Sequence, residues 1–380
     1  MYDAVIVGAG PAGSSLGLRM ARRGRTCALL ERANFPRTKV CGEYLSPAAL
    51  RELHALGLFA AVAARAHPIR AIALAGFGQG PFELQLPGDG ALALPRADLD
   101  ALLLDAALTA GAQLVRGSYM RSESHAHGVT IAYRMLDGGE SKLEAHALVG
   151  ADGAWSSVAT RNGLADEKRR GGRWAVGGHL LGQPDADVLE MFAGEAGYFA
   201  RNPLGGGRVN QMLVMPHPTL EAEADAVAAA VSDGRRLFHQ TSLEKRVAVG
   251  PLRYAPRRVM SERVLLTGDA AGLLDPFTGQ GVAMALALSA PADRALAALL
   301  AGERPRQVAR RYANEHRSLV APRRRLAGAI DALVRVPLLR RSALAKLNRD
   351  PAWAHQLLAA VAGAEPADPM LIPKTLLRLA

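Results

Sequence analysis

Two cysteines in 380 residues, Cys27 and Cys41, are too few for a disulfide framework or a thiolate zinc site, and they fit a reducing compartment. The ten histidines show no ligand spacing either, so no metal is expected. No Ser–His–Asp set stands out. No apolar run reaches the roughly 18–20 residues of a membrane-spanning helix. The N-terminus enters an apolar strand at once, "YDAVIVGAG", without a basic segment ahead of a cleavable apolar stretch, so a cytoplasmic location is expected. What remains is the composition of a globular protein with a sizeable core, 49% apolar and 21% charged.

Acid is scarce at one end. Residues 302–380 hold 15 Lys/Arg against 6 Asp/Glu, so +9 of the net +11 lies in the last fifth of the chain. That charge is interleaved with apolar residues, as in "LVRVPLLRRSALAKLNR" (333–349). A basic amphipathic helical tail suits peripheral contact with an anionic membrane surface, the alternative being an arginine-rich solvated face. The uneven placement argues against a nucleic-acid partner.

The stretch "AVIVGAGPAGSSLGLRMARRGRTCALLER" (4–32) has the form strand, tight turn, helix, strand. Its apolar run suits a parallel strand covered on both faces. Gly8, Gly10 and Gly13 then give the G-x-G-x-x-G spacing: a sharp turn, close approach of backbone to a pyrophosphate, and tight helix–strand packing. The helix starting near Pro11 aims its amides and dipole at phosphates. Glu31 ends the next strand, where an acid can bind ribose hydroxyls. "GFGQG" (76–80) has similar glycine density but is followed by the alternating "PFELQL", and reads as a turn. No second unit of this kind follows, so no separate nicotinamide domain is expected.

Two later stretches separate the dinucleotides. "ALVGADGAWSSV" (147–158) is an apolar strand running into Asp152-Gly153, and "RVLLTGDAAGLLDPFTGQGVAMALAL" (263–288) runs through Asp269 into a Pro/Gly-rich loop and a helix from Gly281. With the first turn, these resemble the FAD-binding fold of the para-hydroxybenzoate hydroxylase class, which includes aromatic hydroxylases and geranylgeranyl reductases, over about residues 1–290. The resemblance implies an α/β protein. It would have a Rossmann-like, glutathione-reductase-type FAD-binding domain, an inserted antiparallel β-sheet substrate domain and a helical C-terminal tail. The pieces are read as 1–70, 94–163 and 255–300 for FAD, 71–93 and 164–254 for substrate, and 301–380 for the tail.

The resemblance also implies cofactor contacts. They fall on Gly8, Gly10, Pro11, Ala12, Gly13, Glu31 and Arg32 at the first turn, Arg96 ahead of a helix, and Met120 against the adenine. Asp152 and Gly153 would lie near the pyrophosphate, and Asp269, Pro276, Gly279, Gln280 and Gly281 along the ribityl chain and ring. For each acid a helix cap or turn is the alternative. Where the class has an arginine after Ser-x-Val, this chain has Ala159, with Arg161 two residues on. The Trp-x-Trp-x-Ile-Pro stretch of flavin halogenases is missing, which argues against halogenation.

"FPRTKVCGEYLSP" (35–47) is similar to the segment that runs beneath the flavin in this class, in the Lys/Arg–x–Cys–Gly form of the geranylgeranyl reductase branch. Gly42 lets backbone approach a flat ring without a Cβ clash. Cys41 and Glu43 are the candidate catalytic residues. Lys39 is expected to favour the thiolate of Cys41; a small packed residue is the alternative. Glu43 is either a proton donor or gate, or the cap of a helix starting near Ser46. His179, Met191 and Tyr198 either line a substrate cavity or pack the core, and Pro291 should kink or end the helix that follows Gly281. The expected activity is that of an FAD-dependent oxidoreductase with NAD(P)H as transient reductant. It would hydroxylate a hydrophobic phenolic or polyketide-like molecule through a flavin C4a-hydroperoxide. The alternative is reduction of isoprenoid double bonds.

Overall fold

Alternate residues of the strand Tyr2–Val7 enter two different cores. Ala4 and Ile6 face one and Val5 and Val7 the other, all of them buried. A strand covered on both faces has no polar side, which explains the unbroken apolar run. The computed structural model describes residues 1–77, 79–166, 172–216, 227–229, 244, 246–273, 276–363 and 365.

Tyr2–Val7 is central in an eight-stranded sheet. Its order is Met260–Ser261, Val264–Leu266, Glu140–Gly150, Tyr2–Val7, Cys27–Glu31, Gln113–Arg116. The last five of these pair parallel, with Val5 opposite both Leu148 and Ala28. The hairpin Ser118–His125 and Gly128–Arg134 extends the sheet antiparallel along Glu140–Gly150. The helices Pro11–Arg22 and Arg96–Thr109 cover one face through Leu16, Met20, Leu99 and Leu103. Each such buried side chain contributes about 1.5–3 kcal/mol.

The second sheet has seven strands. Its order is Val247–Val249, Trp174–Leu180, Arg208–Met215, Gly197–Gly205, Val188–Gly194, Ala71–Gly76, Gln79–Gln85. It departs from the expected antiparallel pattern at one place. Val188–Gly194 runs parallel to Ala71–Gly76, because the chain enters this sheet twice and the two strands are joined only by a long excursion. Both of its faces carry apolar residues: Leu213 and Met215 enter one apolar cluster while Met212 and Val214 enter another. A small sheet of Tyr44–Leu45, Ala91–Ala93 and His67–Ile69 lies alongside, its Ala91–Ala93 strand central. The stretch "PTLEAEADAVAAAVSDGRRLF" (218–238), whose pattern reads as a helix, lies outside the described residues except for 227–229.

Pro305, Pro337 and Pro351 each occupy the first position of a tail helix (Pro305–Arg335, Pro337–Arg349, Pro351–Ala362), where the missing N–H costs nothing. Pro322 lies inside the longest of these. Pro291 cannot donate to the Ala287 carbonyl, so the ladder is interrupted between Gly281–Ala287 and Ser289–Leu300. Leu288 keeps helical dihedrals, however, and the chain continues rather than ending. By length and composition alone Gly281–Leu300 could cross a membrane, but Ser289, Asp293 and Arg294 interrupt its apolar residues and most of it is buried inside the protein.

Candidate active site

The first turn admits nothing larger than glycine. A Cβ at Gly13 would lie 1.8 Å from the Gly8 oxygen, and one at Gly8, where φ is +99°, would lie 2.5 Å from the Ala151 oxygen. Gly10 precedes Pro11 at the start of the first helix, and no side chain caps that end, so its amides are left for a ligand. The turn meets the third motif directly: a Cβ at Gly268 would be 2.6 Å from Ala12 Cβ. Three distant segments therefore converge, as the spacing implies.

Glu31 is buried. Its carboxylate accepts from the Ala9 amide at 2.9 Å and the Ala33 amide at 2.8 Å, which fixes it at the strand end. Arg32 beyond it is exposed. Met120 is half-buried on the Ser118–His125 strand, and just before that strand the Gly117 amide donates to the Glu31 carbonyl.

One basic residue escapes the sequence reading. Arg37 sets Nη1 3.7 Å from Glu31 and Nη2 3.5 Å from Asp100, and a Cβ at Gly10 would lie 3.1 Å from its guanidinium. Its Nε is buried without a protein partner. A run of local sequence gives no signal for it, because the loop returns to the glycine turn only in three dimensions.

Arg96 is buried, and Asp100 holds its Nε and Nη2 at 2.8 and 2.9 Å. Burial alone would weaken its hold on a proton, but Asp100 and the Cys41 sulfur beside it drive the guanidinium well above its ordinary range. Arg96 is thus a buried, paired cation and not a solvated residue at a helix start.

Asp152 does cap a helix: its Oδ2 accepts from the Ser157 and Val158 amides at 2.7 and 3.2 Å, while Oδ1 is buried without a partner. Gly153 faces open space. Asp269 lies in the Gly268–Ala271 turn. Burial pushes its carboxyl up, and Arg96 and Lys39 pull it down.

Pro276 is exposed, and Gly279, at φ +62°, packs against the Tyr44 ring. Gln280 points away from the cleft. It donates to the Val361 carbonyl and accepts from Arg323 Nε at 2.7 Å, so its side chain ties down the tail. Gly281 then opens a helix whose start is uncapped and faces free space.

The thiol reverses an expectation. Burial pushes the Cys41 thiol up, with Arg96 opposing, so the group is held as a thiol and not as the thiolate expected from Lys39. Lys39 is itself lowered, by burial and by Arg37 and Arg96. Glu43 is no cap for the helix Pro47–Ala55, since Ser46 does that through the Ala49 amide. Instead Glu43 is buried at φ +56° and accepts from the Arg96 amide at 2.8 Å.

His179 bonds Glu43, Met191 packs beside the cluster of Ile72 and Leu189, and Tyr198 lines a small pocket of about 20 Å³ with Phe277, Ala193 and Ile330. The tail helix Pro305–Arg335 supplies one wall of that pocket, and Arg173 meets Asp331 at 2.6 Å beside it. Among the described residues no group of His, Cys, Asp and Glu could hold a metal.

The uncapped helix starts, the orphaned Arg37 Nε and the open faces of Gly42 and Gly281 suit a long, anionic, flat-ended ligand, as FAD is. The comparisons agree. Residues 1–324 match the family model "FAD binding domain". A menaquinone reductase of Mycolicibacterium smegmatis is 31% identical over 309 residues, 74% of this chain and 72% of that protein. A kynurenine 3-monooxygenase of Salinispora arenicola is 30% identical over 356 residues, 80% of this chain and 76% of that protein. The structure of the flavin-dependent brominase Bmp2 superposes with a TM-score of 0.82 at 19% identity, covering 95% of this chain and 93% of that one, which speaks for the fold alone. The chain belongs to the FAD-binding-domain family and is an FAD-dependent oxidoreductase.

Proposed function

Within that family, we propose that this protein is a flavin-dependent reductase of carbon–carbon double bonds in a large apolar substrate of prenylquinone or isoprenoid type. One observation carries the reading: the Cys41 sulfur, with Arg96 beside it, adjoins Gly42, whose face is open; burial pushes that thiol up. Saturating a double bond takes an electron pair and two protons. Bound FAD, reduced by NAD(P)H, supplies the electron pair.

The chain's own residues would do the rest. Cys41 holds a proton at Sγ for the substrate carbon, and the Arg96 guanidinium beside it stabilises the thiolate left behind. Tyr198 and Phe277, packed edge to face, would offer an apolar wall to the substrate chain. The turn amides, Arg37 and Glu31 would grip the ADP half of FAD. Asp269, with the amides from Gly281, would serve the ribityl and ring end. The menaquinone reductase relative supports the choice of substrate class.

Hydroxylation of an electron-rich ring is the second reading, favoured by the kynurenine 3-monooxygenase relative. The two part under nitrogen. After reduction by NADPH without air, adding a menaquinone should restore the yellow flavin absorbance and give a product two hydrogens heavier in its side chain, not merely its quinol, if the protein is such a reductase. Recovery only when air is admitted would favour hydroxylation. For a partner we propose an anionic membrane surface, reached through the basic tail, from which an apolar substrate would be drawn.

A further inference from the structure

The loop that carries Cys41 is held from the opposite sheet. Asn210 Nδ2 donates to the Cys41 carbonyl at 2.9 Å and to Glu43 Oε2 at 2.8 Å. Asn202 Nδ2 donates to the Gly42 carbonyl at 2.9 Å, and His179 Nε2 lies 2.6 Å from Glu43 Oε2. All three belong to the seven-stranded sheet, on the strands Trp174–Leu180, Gly197–Gly205 and Arg208–Met215. Asn202 and Asn210 are 1% and 3% exposed, and the acceptors they face fix which end of each amide is the donor.

Glu43 is the centre of this clamp and is bound on three sides. Oε1 accepts from the Arg96 amide, Oε2 accepts from Asn210 and His179, and its own amide donates to Cys41 Sγ at 3.3 Å. The residue is nevertheless held at φ +56°, a region that a glutamate adopts only when its surroundings impose it. Strain alone would be relieved by glycine. A carboxylate kept there, with an amide hydrogen bond aimed at the thiol, has a different use.

We propose that Glu43 is a positioning residue. Its carboxylate, clamped by His179 and Asn210 of the substrate sheet, fixes the backbone that holds the Cys41 thiol beside Gly42 and Arg96. The substrate-binding sheet thereby sets the geometry of the proton donor. His179 sits between Glu43 and, at 4.0 Å from its Nδ1, the half-exposed Glu244, so the clamp extends from the thiol loop toward solvent. This inference rests on the reading of Cys41 as the proton donor, but its test needs no turnover.

The test is the rate at which iodoacetamide alkylates Cys41 in the FAD-loaded protein, followed by peptide mass spectrometry. Cys27, 1% exposed, is the internal control for unfolding. Glu43→Gln places an amide donor against the donors of Asn210 and His179, and Glu43→Gly removes both carboxylate and strain. Both variants, and His179→Ala, should change the Cys41 rate by roughly 10-fold or more while Cys27 stays unreactive and FAD stays bound. Glu43→Asp should recover part of the wild-type rate. An unchanged Cys41 rate in Glu43→Gly and Glu43→Gln, with folding and flavin content intact, would overturn the proposal. It would leave the assignment of double-bond reduction standing. Loss of reductase activity with a shifted alkylation rate would support the positioning role even if the substrate class proved different.

Discussion

Gly13 has no room for a methyl group, with the Gly8 oxygen 1.8 Å from where a Cβ would be. Gly13→Ala should therefore abolish flavin retention, seen as a colourless purified protein; a yellow preparation with full flavin content would refute the assigned turn. Cys41 is tested separately. Cys41→Ser should cut the reduction rate about 100-fold, the low end of what a positioned acid contributes, with the flavin spectrum unchanged. The glycine turn and Glu31 were legible in the sequence because strand, turn, helix and acid follow one another within thirty residues. The partners of Glu43 were not legible. His179 and Asn210 lie 136 and 167 residues away, and only the folded sheet brings them to the loop. Arg37 was missed for the same reason, although its position in "FPRTKVCGEY" was on view.

At the scale of elements, the tail helix Pro305–Arg335 locks onto the FAD-binding sheet through buried groups. Tyr312 donates to the Leu266 carbonyl at 2.6 Å, and His316 is 7% exposed with Nε2 lacking a protein partner. Burial, then Arg324 and Arg317, push His316 down to about 4, against a backbone hydrogen bond to Ala271 that raises it. The folded state thus keeps this imidazole neutral, while the unfolded chain takes up a proton near the ordinary 6.5. Stability is full above that value and falls as the pH drops toward 4, by up to about 3 kcal/mol. His316→Gln should flatten the thermal-unfolding profile over that acidic range; an unchanged slope would remove His316 as its cause.

A second element prediction concerns Gln280. Its side chain holds Arg323 and Val361, so Gln280→Ala should destabilise the tail by about 1–3 kcal/mol and expose the Pro337–Arg349 helix to proteolysis. The interleaved charged and apolar residues predict a helical tail here. That pattern could not show that prolines at 305, 337 and 351 start helices, because the same residue reads equally as a stop.

For the whole molecule, charge and exposed apolar residues coincide at one place. Val336 and Leu338, 43% and 70% exposed, sit at the junction of the first two tail helices, and residues 335–349 carry five Lys/Arg and no Asp/Glu. Sedimentation with anionic vesicles should exceed that with zwitterionic ones, fall as salt screens the charges, and weaken in Leu338→Asp. Equal binding to both vesicle types would remove the membrane from the account.

The most direct test of the central claim is the mass of the product formed from a menaquinone by the FAD-loaded, NADPH-supplied protein under nitrogen. Double-bond reduction predicts the substrate plus two hydrogens, with the change located in the side chain. No product under nitrogen, and substrate plus one oxygen once air is let in, would contradict it.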